Sequence, residues 1–143
     1  MTEDPSLVTP SDDRSPRPFV VHESECDVED WSASGRNGVS WRTLLSADRT
    51  PTDSLTIGIA EIAPGSPDEF HLHHHEPAEA YFILSGTGAM SIDGEVQNVR
   101  TGSAIFVPSN SVHAIANTGS DVLRLLYVFG VDSFDDVTYV FPD

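Results

Sequence analysis

The sequence predicts an all-β domain built as a sandwich or a barrel. Three observations support this fold class: about ten short segments rich in β-branched and aromatic residues, glycine or proline turns between them, and no segment with a convincing helical period. Strands at such short, turn-marked intervals are typical of antiparallel sheets packed face to face. With 143 residues, the chain is expected to fold as one domain with a sizeable core.

The first third of the chain carries the weaker signals. Residues 1–18 combine four prolines with serine, threonine and acidic residues, so a flexible N-terminal tail is expected there. A short edge strand is expected at Phe19–Val21, and the alternation of acidic residues over 23–29 suits a strand edge or an extended loop. The glycines of Ser32–Gly38 predict a loop, and Val39–Leu45 is predicted to be a strand.

Regular strand signals begin at Ser54–Ile62, where Leu55, Ile57 and Ile59 are expected to share one face. Asp93-Gly94 is the strongest hairpin signal in the chain. The other predicted strands are Phe70–His75, Glu79–Leu84, Ala89–Ile92, Glu95–Val99, Ser103–Val107, Val112–Ala116, Val122–Phe129 and Val137–Phe141. A glycine turn is expected over Ser85–Gly88.

A histidine-rich stretch in the middle of the chain has the spacing of metal ligands. Four of the six histidines lie within five consecutive residues. Side chains two apart share a face of a strand, so His73 and His75 are expected to point inward together, with Glu79 joining them after a turn. Imidazole and carboxylate together suit zinc, iron, nickel, manganese or cobalt. A further ligand must come from elsewhere, where His22 and His113 remain.

Two longer motifs surround these residues. Residues 65–86 contain His73-x-His75-x3-Glu79-x6-Gly86, and residues 102–117 contain Gly102-x5-Pro108-x-Asn110-x2-His113-x3-Asn117. They resemble the two sequence motifs of the cupin family. Asn110 stands where that family has glycine, a mild departure because asparagine tolerates positive φ. The remaining motif glycines and Asn117 are expected to serve in turns and packing.

The resemblance implies a conical jelly-roll barrel over residues 19–143 and one divalent metal ion per chain. Its ligands would be His73, His75, Glu79 and His113, and the metal would be Zn²⁺ or Fe²⁺ first, with Mn²⁺, Ni²⁺ and Co²⁺ as alternatives. The motifs are specific for fold and metal and weakly informative about the reaction.

A second register of the first motif is open. Seven residues separate Gly65 from His73, where the family has about five, and five residues separate Gly65 from His71. His71 and His73 would then form the histidine pair. We prefer His73 and His75 because this choice keeps the family spacing to Glu79. His71 shares their strand face and is expected to line the cavity, whereas His74 should point the other way and His22 should lie at the surface.

Composition excludes several classes of partner. The formal charge is −16, from 23 acidic residues against 7 arginines, so nucleic acid and anionic membranes are poor partners. One cysteine, Cys26, excludes an intrachain disulfide and is expected to be a small packed residue. No apolar run approaches the roughly 20 residues of a membrane helix, and the N-terminus lacks the pattern of a signal peptide, so a cytoplasmic location is expected.

An open metal position predicts an enzyme that uses the metal as a Lewis acid on a small, largely apolar substrate with a carbonyl or enol group. Tyr81 follows Glu79 by two residues and should face inward beside the metal, so Tyr81 and His71 are the candidate catalytic residues, as proton carriers. The first interpretation is a redox-neutral cyclase or lyase resembling the aromatic polyketide cyclases among small cupins.

Three alternatives stay open. One is an iron-dependent dioxygenase, and the second is a dimethylsulfoniopropionate lyase, which resembles this chain in placing a tyrosine two residues after the glutamate ligand. The third is a cupin that binds a small molecule without catalysis. A homodimer is also expected, with residues 19–30 or the N-terminal tail covering a sheet edge of the partner.

Overall fold

Nine strands form two antiparallel sheets in the computed structural model, which describes residues 15–31, 36–65 and 71–141. The strands are β1 (Glu29–Trp31), β2 (Arg36–Leu45), β3 (Thr56–Ile62), β4 (Glu79–Ser85), β5 (Thr87–Ile92), β6 (Glu95–Arg100), β7 (Ala104–Val107), β8 (His113–Asn117) and β9 (Leu123–Phe129). The large sheet has the order β1-β2-β3-β9-β4-β7, and the small sheet has the order β6-β5-β8. Helix in the described residues is limited to two 3-10 turns, Glu23–Glu25 and Phe134–Asp136. The predicted all-β fold is confirmed.

The two sheets pack their inner faces together into one core. On the large sheet, Gly58, Tyr127 and Tyr81 lie directly opposite one another on β3, β9 and β4, so their side chains share this inner face. A Cβ atom on Gly58 would lie only 2.2 Å from Oη of Tyr127, so the bare backbone of β3 makes room for the ring. The buried core joins residues of both sheets, among them Trp41, Ala60, Ile62, Ile83, Met90, Val99, Leu123, Leu125 and Phe129.

Residues 23–28 lie over the outer face of the large sheet at its β2–β3 end. The guanidinium of Arg42 on β2 donates to the carbonyl oxygen of Glu23 over 2.9 Å, and Arg124 on β9 forms an ion pair with the Glu23 carboxylate. Ile59 faces outward on β3 and is only 8% exposed, since it shares a small groove with Glu23 and Val28. The segment predicted to cover a partner's sheet edge therefore contacts its own sheet.

Several predicted strands differ from the observed ones. Phe19–Val21 is extended without strand pairing, and the predicted loop at Ser32–Gly38 overlaps the start of β2 at Arg36. The expected strand at 70–75 is replaced, in its described part, by isolated bridges, because His73 pairs with His113 and His74 pairs with Val140 on the other side. Phe70 lies outside the described residues. Similarly, the segment at Val137–Phe141 contributes only the bridge at Val140.

Ile57 and Ile59 share one face of β3, as predicted, and this is the outer face. The even-numbered residues of this strand face the barrel interior, since Gly58 and Ala60 pair with the inner residues Tyr127 and Leu125. Leu55 is 44% exposed, and Ile57 and Ile59 face outward. Alternation alone cannot distinguish the two faces here because both carry apolar side chains.

The turn predictions agree with the structure more closely than the strand predictions do. Asp93 and Gly94 have φ of 49° and 88° and close the hairpin between Ile92 and Glu95. Asn110 adopts φ of 62°, as expected for a residue that replaces glycine in a turn. The turn expected over Ser85–Gly88 shrinks to Gly86 alone, with φ of 98°, because β4 and β5 extend into it.

Most of the predicted N-terminal tail lies outside the described residues, which begin at residue 15. Residues 15–18 are exposed and form neither strand nor helix. Neither of the two three-residue helices is a candidate for crossing a membrane, and the described residues contain no longer one.

Candidate metal centre

Three histidines from two sequence-distant segments meet between the sheets. One ring nitrogen from each of His73, His75 and His113 lies within 4.8 Å of the others. His113 begins β8 of the small sheet, and reciprocal backbone hydrogen bonds of 3.1 and 2.8 Å join it to His73. The carbonyl of His75 accepts from the backbone N–H of Asn110 over 2.9 Å, which ties the second motif to the first. The predicted register with His73 and His75 thus brings the predicted histidines together.

Glu79 is the first residue of β4, and its side chain points toward the three histidines. Its Oε1 lies 3.2 Å from Nε2 of His75 and 3.3 Å from Nε2 of His113. The four side chains are nearly inaccessible to solvent, with exposed fractions of 6% for His73, 1% for His75, 3% for Glu79 and 0% for His113. A carboxylate and three imidazoles are therefore concentrated in one dry region of the molecule.

Backbone carbonyls fix the tautomer of all three rings. Nδ1 lies 2.8 Å from the carbonyl oxygen of His71 in His73, of Pro77 in His75 and of Ser111 in His113. A carbonyl only accepts, so each Nδ1 carries a proton, and a ring in this tautomer turns Nε2 inward as the atom that can bind a metal. Burial, reinforced by the neighbouring His113, lowers the pKa of His73 to about 4, which keeps this ring neutral at pH 7.

This arrangement leaves acceptors facing acceptors. The Nε2 atoms of His75 and His113 converge on the Glu79 carboxylate, which also accepts a hydrogen bond from Tyr81, and Nε2 of His113 is buried without a hydrogen-bond partner. Such an arrangement is unfavourable unless a cation sits among the acceptors. Neutral imidazole nitrogens with a carboxylate are also the donor set that zinc and first-row transition metals prefer. The buried cluster therefore fits a divalent metal ion.

The other histidines take the positions expected for them. His71 is half-buried and lines the cavity next to the cluster without belonging to it, so the alternative register is not the one that the fold assembles. The backbone of His74 pairs with Val140, and its side chain lies outside the cluster. His22 is exposed and caps the first 3-10 turn, accepting a hydrogen bond from the backbone N–H of Ser24.

An aromatic cavity adjoins the cluster on the inner face of the large sheet. The empty space of this cavity, including the open solvent at its mouth, is ≈ 610 Å³. The chain has two tryptophans and three tyrosines, and all five line this cavity: Trp31, Trp41, Tyr81, Tyr127 and Tyr139. Glu79 is the one carboxylate among the described residues that line it. The cavity is thus lined by aromatic rings and by the one carboxylate of Glu79.

Tyr81 faces this cavity, as its position two residues after Glu79 predicted. It is 8% exposed, and its ring centroid lies 6.5 Å from that of His113. Burial, and then the charge of Glu79, raise the pKa of Tyr81 well above its ordinary value. The same two causes raise the pKa of Tyr139, and burial raises that of Tyr127. All three hydroxyls are therefore protonated at neutral pH in the absence of a cation.

Tyr139 was not among the predicted site residues. Its ring centroid lies 4.9 Å from that of His73, 5.2 Å from that of His75 and 5.3 Å from that of Trp31. The bridge between His74 and Val140 holds the C-terminal segment in this place. The available signal was the spacing of Tyr139 and Phe141, since aromatic residues two apart in an extended segment share a face. Both rings do contact His73, with centroids 4.9 and 5.7 Å away.

Comparison with known proteins agrees with this geometry. The model of the family described as "Cupin domain" matches residues 58–129, half of the chain. The chain belongs to the cupin family. The match includes both predicted motifs in full, and it ends with β9.

Among related cupins, the dimethylsulfoniopropionate lyase DddW of Ruegeria pomeroyi is 35% identical over 103 residues, which are 72% of this chain and 66% of the lyase. The chain thus spans slightly less than two thirds of that relative. An oxalate-binding protein of Thermotoga maritima is 32% identical over 112 residues, 77% of this chain and 92% of that protein. The polyketide cyclase RemF of Streptomyces resistomycificus shares the fold with a TM-score of 0.69 and 22% identity, over 89% of this cupin and 88% of the cyclase.

Proposed function

We propose that this cupin is a metal-dependent lyase that releases dimethyl sulfide from dimethylsulfoniopropionate. The observation that carries the proposal is the aromatic cavity beside the histidine cluster. Sulfonium is a soft cation with no hydrogen to donate, so a protein recognises it through the faces of aromatic rings and not through hydrogen bonds. The sequence similarity to the lyase of Ruegeria pomeroyi supports the same choice.

The aromatic rings are arranged closely enough to surround such a cation. Trp31 lies between Trp41 and Tyr139, with ring centroids 5.1 and 5.3 Å from its own. A cation is attracted to a ring when it sits within about 6 Å of the centroid. The negative charge of Glu79 in the cavity adds to that attraction. The positively charged end of the substrate would therefore lie among Trp31, Trp41 and Tyr139.

The other end of the substrate is a carboxylate, which needs positive charge or donors. We assign His73, His75, Glu79 and His113 as the ligands of one divalent metal ion per chain. That cation would polarise the substrate carboxylate and offset the charge of Glu79, which makes the phenol of Tyr81 a stronger acid. Nε1 of Trp41 is buried without a hydrogen-bond partner and supplies a spare donor in the same cavity.

The reaction is an elimination in which atoms and electrons balance without an oxidant. A base takes the proton from the carbon beside the carboxylate, the electron pair of that C–H bond becomes the double bond, and the C–S bond breaks with its pair leaving on sulfur. The products are acrylate and dimethyl sulfide. Tyr81 is the proposed proton carrier because its hydroxyl faces the cavity beside Glu79, and His71 at the cavity wall is the second candidate.

The aliphatic part of the cavity wall favours a second candidate function. Val39, Ile62 and Leu125 line it together with the aromatic residues, which suits the flat apolar body of an aromatic polyketide. Cyclisation would be redox-neutral and could use the same metal ligands and the same proton carriers. The likeness to the polyketide cyclase RemF, at 22% identity, concerns the fold alone.

The decisive experiment incubates the zinc-, iron- or manganese-loaded protein with dimethylsulfoniopropionate and measures dimethyl sulfide by headspace gas chromatography, with and without oxygen. We expect release under both conditions. Tyr81→Phe should lower turnover by ~100-fold or more with unchanged metal content, since general acid or base catalysis contributes roughly 10²–10⁴. The matched variant Tyr127→Phe keeps its aromatic face and should lose less than about 10-fold.

Each other outcome points to a different function. A requirement for oxygen would replace the lyase by a dioxygenase, which needs a redox-active metal. No release from any metal form, with turnover of an aromatic polyketide, would favour the cyclase. Binding of the substrate without turnover would favour a non-catalytic binding protein. A fully active Tyr81→Phe would remove Tyr81 from the proton-transfer role.

A further inference from the structure

Trp31 is the central ring of the aromatic wall, and it is carried by the shortest strand of the large sheet. Its ring centroid lies 5.1 Å from that of Trp41, 5.3 Å from that of Tyr139 and 5.6 Å from that of Phe141. β1 has three residues and lies at the edge of the sheet, where it pairs with β2 alone. The register of this pairing shifts between Asp30 and Trp31. The backbone thus constrains the Trp31 ring weakly, and side-chain contacts have to complete its placement.

Two side chains hold β1 through Glu29, two residues before Trp31. The Glu29 carboxylate accepts a hydrogen bond from Oγ1 of Thr43 over 3.0 Å. Arg49 donates to both of its oxygens, from Nη1 over 2.6 Å and from Nη2 over 3.1 Å. Such a forked pair fixes orientation as well as distance, which the point charge of an ammonium group does not. Thr43 is buried opposite Gly58, so this anchor lies on the inner face of the sheet.

Arg49 also holds the segment that leads to Tyr139. Its Nε donates to Oδ2 of Asp48 over 3.2 Å. Oδ1 of Asp48 accepts from the hydroxyl of Ser133 over 3.1 Å, and Ser133 caps the 3-10 turn Phe134–Asp136. The chain runs from this turn to Tyr139. One guanidinium therefore connects, through a carboxylate on each side, the two segments that carry the facing rings of the cavity.

We propose that Arg49 is a positioning residue, which sets the spacing of the Trp31 and Tyr139 rings by holding Glu29 and Asp48 together. The inference rests on the proposed function in taking these two rings as the site for the positively charged end of the ligand. A cation is attracted to a ring within about 6 Å of its centroid, so the spacing of the two rings decides how well both are used. Arg49 does not line the cavity, so it acts on binding through the rings alone.

Arg49→Ala tests the proposal through the split between KM and kcat for release of dimethyl sulfide by the metal-loaded protein. We expect KM to rise about 10-fold, since the attraction of a cation to one ring is worth roughly this factor. The kcat and the metal content should stay within about 2-fold, because the metal cluster and Tyr81 are untouched. The variant should fold, since the Arg49 side chain is 40% exposed and such ion pairs contribute little to stability.

Two further variants sharpen the comparison. Arg49→Lys keeps the charge but loses the fork, so KM should rise less than in Arg49→Ala, and this variant serves if Arg49→Ala is insoluble. Arg124→Ala is the matched control. Arg124 also pairs with two carboxylates, those of Glu23 and Glu61, and its side chain is 28% exposed, but these pairs lie on the outer face of the sheet. Its loss should leave KM unchanged.

A second measurement needs no reaction. Tetramethylammonium, a cation with no hydrogen to donate, is titrated into the metal-loaded protein and followed by tryptophan fluorescence. Its dissociation constant should rise in Arg49→Ala by about the same factor as KM and stay unchanged in Arg124→Ala.

The outcomes separate this proposal from the proposed reaction. Equal KM values in wild type and Arg49→Ala would overturn the positioning role and leave the lyase standing. A kcat or metal content that falls as far as KM rises, or an equal effect in Arg124→Ala, would indicate general disruption and would also overturn it. A wild type that releases no dimethyl sulfide, yet binds tetramethylammonium more tightly than Arg49→Ala does, would overturn the lyase and support the positioning role. Neither turnover nor cation binding in wild type would remove the cation site, and the proposal with it.

Discussion

The two faces of the large sheet are built from different chemistry. The inner face carries Glu79, Tyr81 and Tyr127 on two neighbouring strands, and the outer face carries Phe82, Leu126 and Val128 on the same strands. These three outer residues are aliphatic or phenylalanine, with no side-chain polar group to satisfy. Inner residues hold polar groups whose hydrogen-bonding capacity is partly unused, such as Nε1 of Trp41.

This difference teaches that burial by itself does not identify a functional site. An apolar side chain is stabilised by losing contact with water, whereas a buried polar atom without a partner costs free energy. Natural proteins keep few such atoms, so a cluster of them around one cavity indicates that something else completes their bonding. The inner face carries such atoms, and the outer residues Phe82, Leu126 and Val128 carry none.

Among substitutions that test the difference between the two faces, the largest effect is expected on the inner face. His113→Ala removes one of the converging nitrogens and should abolish metal binding, with a loss beyond the roughly 10- to 100-fold that loss of an outer-shell partner costs. Elemental analysis after reconstitution measures this directly. The control His74→Ala lies in the same segment but outside the cluster, so it should retain the metal.

His71→Ala extends that experiment to the choice of register. It should also retain the metal, because His71 lines the cavity without belonging to the cluster. Loss of metal in this variant, with retention in His75→Ala, would reverse the assignment of the histidine pair.

A smaller effect is expected at Gly58, whose lack of a side chain leaves room for the Tyr127 ring on the inner face. Gly58→Ala would place Cβ 2.2 Å from Oη of Tyr127, so the ring must shift into the cavity. We expect destabilisation of roughly 1–3 kcal/mol from overpacking, measured by urea denaturation, together with weaker substrate binding. Gly65→Ala is the control, since nothing lies within 4 Å of its added methyl group. Equal stability of the two variants would contradict the packing described for Tyr127.

The smallest effect belongs to the outer face. Arg124→Ala breaks the ion pairs with Glu23 and Glu61, whose side chains are 35% and 48% exposed. Partly exposed pairs contribute only about 0–1 kcal/mol, so the free energy of unfolding should change by no more than that. A loss of several kcal/mol in urea denaturation would show that these pairs hold residues 23–28 far more strongly than their exposure implies.

The cluster of three histidines and Glu79 could be predicted from sequence because its members obey local rules. His73, His75 and Glu79 are spaced by strand geometry, and His113 belongs to a second motif with its own turn residues. The aromatic walls could not be predicted in the same way. Trp31, Trp41 and Tyr139 reach the cavity from both ends of the chain, and the pairings that bring them there are tertiary. Which face of β3 turns to the core could not be predicted either, because both faces of this strand carry apolar side chains.

All the tryptophan and tyrosine residues of the chain stand around one cavity, and this has an optical consequence. The intrinsic fluorescence of the protein, and nearly all of its absorption in the near ultraviolet, arise from the walls of the binding site. No indole or phenol elsewhere contributes a background. Any molecule that enters the cavity changes the surroundings of every strong chromophore at once, so the unlabelled protein reports its own occupancy in a simple titration.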